Sequence, residues 1–283
     1  MTRRRFAQVD VFGAVAGFGN PLAVVIDADG LSDGEMQRFA RWTNLAETTF
    51  LLPPTGDDAD YRVRIFTPMT ELSFAGHPTL GSCHAWLAAG GTPASGDRIV
   101  QECGVGLVTL RNETDLAFAA PPLRRSGSVD ADDTARILAM LRLDADDVVD
   151  LAWVDNGPGW VGVLLADDEA VLAVDPDPSA VAPLSSGTVD IGLAGFSSHP
   201  GIDLEVRALS TDDSGAFLED PVTGSLNASL AQWLLATGRL AAPYIARQGT
   251  RIGRDGRIHI THDGADVWVA GRTTTLIEGT VTL

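Results

Sequence analysis

A stretch of 29 residues occurs twice in this chain, and this repeat constrains the fold more than any other feature of the sequence. The first copy covers residues 60–88 and the second covers residues 203–231, and the two align without a gap at an offset of 143 residues. Ten of the 29 paired positions are identical. Self-similarity at a fixed offset indicates repeated supersecondary structure. Since this offset is close to half the chain length, we expect two related halves that face each other.

Each copy has the pattern of a strand, a turn and a buried helix. An alternating run leads to a proline, which is Pro78 in the first copy and Pro221 in the second. Proline suits the first position of a helix because the N–H group that it lacks would have no partner there. Small and apolar residues follow at 82–89 and 225–237. These runs predict two buried helices that begin at the repeated motif.

An ionisable residue stands before each proline, namely His77 in the first copy and Asp220 in the second. A helix start offers free backbone N–H groups and the positive end of the helix dipole, which together can bind an anion. If a pseudo-twofold axis relates the halves, His77 and Asp220 face each other across a cleft. The alternative is a pair of structural turns with exposed ionisable groups. Unlike ionisable groups at the same place in both copies favour a functional site.

The pattern before the first motif adds a candidate acid/base. It predicts strands at 6–12 and 22–26, a helix that the capping box Ser32–Glu35 opens and Asn44 ends, and a strand over 48–52. Glu47 lies at the head of that last, apolar strand. A carboxylate in such a place is a candidate general acid/base, because desolvation favours its neutral form. The alternative is a charge at a strand end that points into water.

The second half repeats the plan of the first. Pro121 and Pro122 close the first half, a polar linker leads into a predicted helix at about 131–141, and Asp155 corresponds to Asp10 in an equivalent strand and turn. The last part, 252–283, is interpreted as short strands and glycine turns. We therefore expect an N-terminal domain over 1–120 and a C-terminal domain over 121–283. The segment from about 270 to 283 is expected to return to the N-terminal domain.

Charge and composition restrict the partners. The net charge of −18 repels phosphate backbones, so we expect no nucleic-acid partner. No run has the apolar core of a signal peptide or the length of a membrane span, which predicts a cytoplasmic protein with no membrane partner. Cys83 and Cys103 are the only cysteines and form neither a disulfide framework nor a zinc spacing. We predict no metal site and no cofactor.

Several motifs in combination resemble one known family. They are VDVF at 9–12, GNPLAVV at 19–25, NLAETTF at 44–50, RIFTP at 64–68, FAGHPTLG at 74–81 and EDPVTGS at 219–225. Gln248-Gly249 to Gly253-Arg254 also fits. On these motifs the chain resembles the phenazine-biosynthesis PhzF family, which belongs with diaminopimelate epimerase in one structural superfamily. The match covers nearly the whole length.

The resemblance implies an α+β fold of two pseudo-symmetric domains, each a sheet rolled around a central helix, commonly in a homodimer. It implies that Glu47 is the main proton carrier and that His77 and Asp220 line the same cleft. The substrate contacts that it implies are Gly76, Gly224 and Ser225. In the epimerase relatives, cysteines occupy the positions of His77 and Asp220. Their absence here argues against racemisation by thiols.

The reaction that the resemblance implies is a cofactor-independent isomerisation, in which a proton moves along a conjugated substrate that bears a carboxylate. Dihydro-3-hydroxyanthranilate is the substrate of the phenazine member. The chain departs from the family pattern at Ser73, at 208–211 and at Leu226-Asn227, which border the expected cleft. Two other classes stay open: a lyase or dehydratase on a similar acid, and a non-catalytic protein that binds small acids with the same fold.

Overall fold

The chain forms two compact units in a computed structural model that describes residues 1–212 and 215–283. Unit 1 comprises Met1–Ala119 and Trp268–Leu283, and unit 2 comprises Ala120–Val267. Positions 213 and 214, which belong to the second copy of the repeat, lie outside the described residues. Unit 1 is therefore discontinuous in sequence, and it includes the C-terminal segment of the chain.

Unit 1 is a mixed sheet with two helices. Its elements are β1 (Arg3–Val11), β2 (Asn20–Val25), α1 (Asp33–Thr43), β3 (Glu47–Leu52), β4 (Tyr61–Phe66), β5 (Glu71–Leu72), α2 (Gly76–Ala88), β6 (Arg98–Cys103), β7 (Gly106–Asn112), β8 (Leu116–Ala119), β17 (Val267–Gly271) and β18 (Thr273–Thr282). The first residue of β17 is the last residue of unit 2, and its other residues belong to unit 1.

Unit 2 is built from the same kinds of element. They are β9 (Arg125–Ser128), α3 (Ala131–Leu141), β10 (Val148–Asp155), β11 (Val161–Leu165), α4 (Asp168–Ala173), β12 (Asp190–Phe196), β13 (Leu204–Thr211), β14 (Phe217–Asp220), α5 (Gly224–Ala236), β15 (Tyr244–Gln248) and β16 (Gly256–His262). Short 3₁₀ turns lie at Ala145–Asp147, Pro178–Ala180 and Thr250–Ile252.

The two sheets have the same strand order. In unit 1, β1 pairs antiparallel with β2, β2 parallel with β3, β3 antiparallel with β4, β4 parallel with β6, and β6 antiparallel with β7. In unit 2, β10, β11, β12, β13, β15 and β16 pair in the same sequence of directions. The short strands β5 and β14 pair with β4 and β13 just before α2 and α5. The repeat in the sequence thus corresponds to a repeat in topology.

In each unit one helix is buried against the sheet. Helix α2 packs against β1, β2, β3, β4, β8 and β18, and α5 packs against β10 and β16. Most residues of both helices are buried, which is typical of a helix that the rest of the domain surrounds. Gly81 in α2 lies so close to the sheet that a Cβ atom there would be 2.5 Å from Leu22 Cδ2. The expected α+β fold, a sheet rolled around a central helix in each half, is confirmed.

Other helices cover the outer faces of the sheets. Apolar residues of α1, including Met36 and Phe39, pack with Phe50 of β3 in unit 1. In unit 2, Ile137 of α3 and Val171 of α4 belong to the equivalent outer core. The predicted capping box is present in α1, where Ser32 and Glu35 exchange hydrogen bonds, and Asn44 ends the helix in the left-handed conformation. The predicted helix at 131–141 is also confirmed.

The prediction that each proline is the first residue of its helix is wrong in both units. Helix α2 begins at Gly76, before Pro78, whereas α5 begins at Gly224, after Pro221. In unit 1 the Thr79 N–H donates to the Ala75 carbonyl at 3.2 Å, as in a regular first turn. At the corresponding point of unit 2, side-chain hydrogen bonds hold the backbone instead, and they are described below.

The C-terminal part is also more regular than the sequence indicated. The last strand, β18, is ten residues long rather than short, and it pairs antiparallel with β1 from Arg3↔Thr282 to Val11↔Thr273. Within the described residues, no helix is long and apolar enough to cross a membrane.

Candidate active site

The structure brings Glu47 and His77 together in unit 1. Glu47 is the first residue of β3, and His77 is the second residue of α2. The Nε2 atom of His77 lies 3.2 Å from Oε2 of Glu47. The His77 side chain is 4% exposed and that of Glu47 is 15% exposed. Two chain segments far apart in sequence thus place a carboxylate against a buried imidazole.

His77 is neutral in this environment. Burial lowers the pKa of His77 to about 3, because the charged imidazolium would lose its hydration. The neighbouring carboxylate would favour the charged form, but the almost complete burial of the ring outweighs it. A neutral imidazole carries one proton, so one ring nitrogen donates a hydrogen bond and the other accepts one.

Asn20 contacts the other ring nitrogen of His77. The amide Nδ2 of Asn20 lies 3.3 Å from His77 Nδ1, and Asn20 is completely buried. If this amide nitrogen donates, Nδ1 must be the acceptor and the imidazole proton must be on Nε2, which faces Glu47. Among the described residues, His77 Nε2 makes no hydrogen bond of good geometry, so its contact with Glu47 is close but poorly aligned. A substrate oxygen could therefore take that proton as a hydrogen bond.

The loop before Asn20 is shaped by Asp10. The buried carboxylate of Asp10 accepts hydrogen bonds from the backbone N–H groups of Gly17 at 2.9 Å and Gly19 at 3.0 Å. These bonds turn the chain back into β2, whose first residue is Asn20. Asp155 does the same in unit 2, where its Oδ1 accepts from Gly157 N at 2.6 Å and Gly159 N at 2.7 Å.

Gly76 is buried and is the first residue of α2. The residue before it, Ala75, cannot accept a hydrogen bond through its side chain, so no side-chain cap is found at this helix start in the described structure. The first N–H groups of a helix have no partner within the helix. This helix start is therefore suited to an acceptor from outside the helix, such as a substrate carboxylate.

In unit 2, Asp220 is the last residue of β14 and lies before the first turn of α5. Its Oδ2 accepts a hydrogen bond from the hydroxyl of Thr223 at 2.5 Å. Thr223 in turn is bound by Gln248, a completely buried residue at the end of β15. Asp220 is thus fixed by a side chain of its own loop and by one from the neighbouring hairpin.

Gly224 and Ser225 open α5, and both are buried. The Ser225 hydroxyl accepts a hydrogen bond from the indole Nε1 of Trp160 at 3.2 Å, and its carbonyl accepts from Asn156 Nδ2 at 2.8 Å. Because the indole can only donate, the Ser225 hydroxyl can still donate its own proton.

The predicted site residues therefore form two local groups, each described within its own unit. Glu47, His77 and Gly76 belong to unit 1, and Asp220, Gly224 and Ser225 belong to unit 2. Sequence reasoning missed three residues that hold them, which are Asn20, Trp160 and Gln248. Asn20 and Gln248 belong to sequence motifs that were interpreted as a turn or as part of the family resemblance, and not as hydrogen-bonding residues of the site. Nothing in the pattern around Trp160 indicated a hydrogen bond to Ser225.

Metal-binding chemistry has no obvious place in the described part of the chain. Across residues 1–212 and 215–283, no group of three or more His, Cys, Asp or Glu side chains is arranged to hold a metal ion. Cys83 and Cys103 are free thiols.

Comparisons with known proteins agree with this architecture. The sequence model of the phenazine biosynthesis-like protein family, PhzC-PhzF, matches residues 9–279. The chain is 33% identical over 294 residues to antisense-enhancing sequence 1 of Schizosaccharomyces pombe, with 99% of each chain covered. It is 32% identical over 290 residues to trans-2,3-dihydro-3-hydroxyanthranilate isomerase of Pseudomonas fluorescens, with 98% of this chain and 99% of the relative covered.

A solved structure shows the same fold. The phenazine biosynthesis protein of the PhzF family from Bacillus anthracis superimposes with a TM-score of 0.82 at 23% identity, and all of both chains is covered. The match therefore includes both units and the connections between their elements.

Proposed function

Because the chain belongs to the phenazine biosynthesis-like PhzC-PhzF family, in which curated relatives are isomerases, we propose that it is a cofactor-independent isomerase. It moves a proton on a small substrate that bears a carboxylate. The observation that carries this proposal is the contact of 3.2 Å between Glu47 and the neutral, buried His77. A carboxylate beside a neutral imidazole can gain and lose a proton without creating a second buried charge.

Glu47 is the proton carrier in this proposal. In its ionised form it removes a proton from a carbon of the substrate, and in its protonated form it returns that proton to another carbon. One carboxyl group serves both steps when both carbons lie within its reach. The partial exposure of Glu47 allows contact with a substrate, while the burial of His77 keeps the imidazole fixed.

The other site residues hold the substrate. The start of α2 at Gly76 and the start of α5 at Gly224 and Ser225 provide backbone N–H groups for an anionic group. Neutral His77 donates from Nε2 to an oxygen on which charge develops. Asp220 accepts a hydrogen bond from a hydroxyl or amine of the substrate. In these roles the first copy of the repeat supplies a hydrogen-bond donor, His77, and the second copy supplies an acceptor, Asp220.

A ligand screen followed by product analysis tests the proposal. The protein is first screened with small carboxylic acids by melting temperature, and trans-2,3-dihydro-3-hydroxyanthranilate is included because curated relatives bear its name. Each acid that raises the melting temperature is then incubated with the protein and followed by proton NMR and mass spectrometry. We expect a product of unchanged mass with a shifted double bond.

Two outcomes would contradict the proposal in different ways. A product lighter by one water would indicate a lyase or dehydratase. Binding without conversion of any acid would indicate a non-catalytic binding protein. The homodimer and the cytoplasmic location stay predictions, and sedimentation equilibrium and cell fractionation test them separately.

A further inference from the structure

Gln248 holds the loop between Asp220 and α5, together with the first turn of that helix, through four hydrogen bonds. Its Nε2 donates to the Asp220 carbonyl at 3.0 Å and to Thr223 Oγ1 at 2.9 Å. Its Oε1 accepts from the Thr223 N–H at 3.0 Å and from Asn227 Nδ2 at 2.8 Å. A glutamine side chain has two N–H donors and one oxygen with two lone pairs. Gln248 therefore uses its whole hydrogen-bonding capacity on this loop and on Asn227 in the first turn of α5.

The orientation of the Gln248 amide is fixed by its backbone partners. The Thr223 N–H can only donate, so the atom that faces it must be the amide oxygen. The Asp220 carbonyl can only accept, so the atom that faces it must be the amide nitrogen. Rotating the amide by half a turn would break both bonds, and Gln248 is completely buried, so no solvent could replace them.

This orientation determines the direction of every hydrogen bond up to Asp220. Because Gln248 Nε2 donates to Thr223 Oγ1, the hydroxyl of Thr223 is an acceptor on that side. Its single proton is then available for Asp220 Oδ2, which lies 2.5 Å away. The ionised carboxylate can only accept, so Oδ2 accepts this bond, and a proton could enter Oδ2 only if the Thr223 hydroxyl turned away from it.

The same contacts explain why the two copies of the repeat differ. In a regular first turn, the carbonyl at the position of Asp220 would accept from a backbone N–H four residues later. Here Gln248 Nε2 binds that carbonyl and Gln248 Oε1 binds the Thr223 N–H, so α5 begins only at Gly224. Asp220 consequently stays in an extended segment, whereas His77 lies within its helix.

The hairpin that carries Gln248 also lies very close to this loop. Gly249 has a φ of +92°, and a Cβ atom there would be 2.6 Å from the Pro221 carbonyl oxygen. Gly256, which pairs with Gln248 in the sheet, would bring a Cβ atom to 2.4 Å from Val222. The backbone of β15 and β16 is thus held against the loop, and this holds Gln248 in place.

We propose that Gln248 is a positioning residue for Asp220, and that it acts through Thr223 to make Asp220 Oδ2 an acceptor. The role of Asp220 in holding substrate rests on the proposed function, but the hydrogen-bond chain does not. Asp220 is thereby oriented by a residue in another strand, and its Oδ1 is the oxygen that can exchange a proton while the bond to Thr223 stays in place.

Carbon-13 NMR of the Asp220 carboxyl group tests this chain without any substrate. The resonance is assigned by its loss in Asp220→Asn, and its titration is compared between wild type and variants. Thr223→Val keeps the shape of the side chain and the backbone N–H but removes the hydroxyl. We expect the titration midpoint of Asp220 to rise by about one pH unit, because a donor to the ionised form is lost. Thr223→Ser should restore the midpoint of the wild type.

Gln248→Glu tests the distant end of the chain. A glutamate cannot donate to Thr223 Oγ1, so the Thr223 hydroxyl is expected to reorient, and the Asp220 midpoint should rise by more than in Thr223→Val because the new carboxylate also repels the ionised Asp220. The matched control is Gln232→Met, because Gln232 lies in the same unit and its side chain donates to the Pro121 carbonyl. This control should leave the Asp220 resonance unchanged. If Gln248→Glu does not fold, the comparison of Thr223→Val with Thr223→Ser still tests whether the Thr223 hydroxyl donates to Asp220.

Each result supports or overturns the proposal. An Asp220 midpoint that is the same in wild type and Thr223→Val would show that the hydroxyl does not donate to Asp220. A rise in Thr223→Val with none in folded Gln248→Glu would remove Gln248 from the chain. A failure of the proposed isomerase function would leave these titrations unaffected, so the two ideas fail separately.

Discussion

His77 Nε2 and Glu47 Oε2 are 3.2 Å apart, yet only the imidazole is almost completely buried. The contact joins the first turn of α2 to the head of β3, so the position of the carboxylate depends on the fold of the whole first unit. A neutral imidazole beside the carboxylate adds no charge of its own, and its Nε2 makes no well-aligned hydrogen bond among the described residues. The pair is therefore suited to a reaction in which the carboxylate changes its protonation state.

Replacing Glu47 by glutamine should separate catalysis from binding. Glu47→Gln keeps the shape but cannot ionise, and loss of a positioned acid/base lowers rates by about 10²–10⁴-fold. We expect turnover to fall by that factor while the ligand-induced rise in melting temperature is retained. The matched control is Glu113→Gln, because Glu113 is an exposed glutamate of the same unit. Full turnover in Glu47→Gln would show that another group carries the proton.

Replacing His77 should change how stability depends on pH. Its pKa is about 3 in the folded state and near 6.5 when unfolded, so only the unfolded chain gains a proton between these values. The contribution of neutral His77 to the free energy of unfolding is therefore fully present above pH 6.5, and it is lost as the pH falls towards 3. The free energy of unfolding should fall more steeply in wild type than in His77→Asn, by about 1.4 kcal/mol per pH unit. Equal slopes in urea titrations from pH 6.5 to 4 would refute the neutral, buried state.

The tautomer of His77 can be read directly by nitrogen-15 NMR. We expect the proton on Nε2 in wild type, because the Asn20 amide nitrogen faces Nδ1. Asn20→Asp offers an acceptor at the same place and should move the proton to Nδ1, which leaves a lone pair on Nε2 facing Glu47. Turnover should then decrease. A wild-type spectrum with the proton on Nδ1 would contradict the orientation of the Asn20 amide.

Asp190 should oppose folding at neutral pH. Burial is the main cause that raises its pKa to about 6, the charge of Asp155 adds to this, and a hydrogen bond from Thr188 opposes it. The carboxyl group of Asp190 thus holds its proton more tightly in the folded state than in the unfolded state. Its contribution to the free energy of unfolding is therefore present at acid pH and is lost as the pH rises through 6. Asp190→Asn should increase the free energy of unfolding at pH 8 by about 1–2 kcal/mol. No increase at pH 8, or an equal increase at pH 4, would contradict this.

The sequence predicted two halves of similar fold, because a repeat and a pattern of apolar and polar residues can both be recognised without knowledge of tertiary contacts. Offset alignment matched strands and helices in the two halves, and the capping box at Ser32 marked the start of α1 correctly. The starts of α2 and α5 could not be predicted, since Pro78 and Pro221 occupy equivalent positions in sequence. The difference arises from Gln248, which contacts the second copy through tertiary structure alone.

The candidate site likewise contains residues that the sequence predicted and residues that it did not. Glu47 stood out as a carboxylate at the head of an apolar strand, and His77 and Asp220 stood out as unlike ionisable groups at the same place in both copies of the repeat. Asn20 was interpreted as part of a turn because its side-chain partner, His77, lies in another segment. Asp10 was interpreted as part of a strand, although its partners Gly17 and Gly19 lie in the loop that follows. Hydrogen bonds between distant segments leave no periodicity in the sequence, so the residues that orient the site were missed.

The pairing of β1 with β18 sets the order in which the chain can fold during synthesis. The first strand of unit 1 pairs with the last strand of the chain, and the backbones of Thr2 and Leu283 exchange hydrogen bonds. All of unit 2 leaves the ribosome between these two strands. Unit 2 can therefore complete its sheet while β1 still waits for its partner. A fragment that ends at Val267 should resist proteolysis in unit 2 and remain sensitive in unit 1. Unit 1, most of which is synthesised first, is thus the unit whose sheet is completed last.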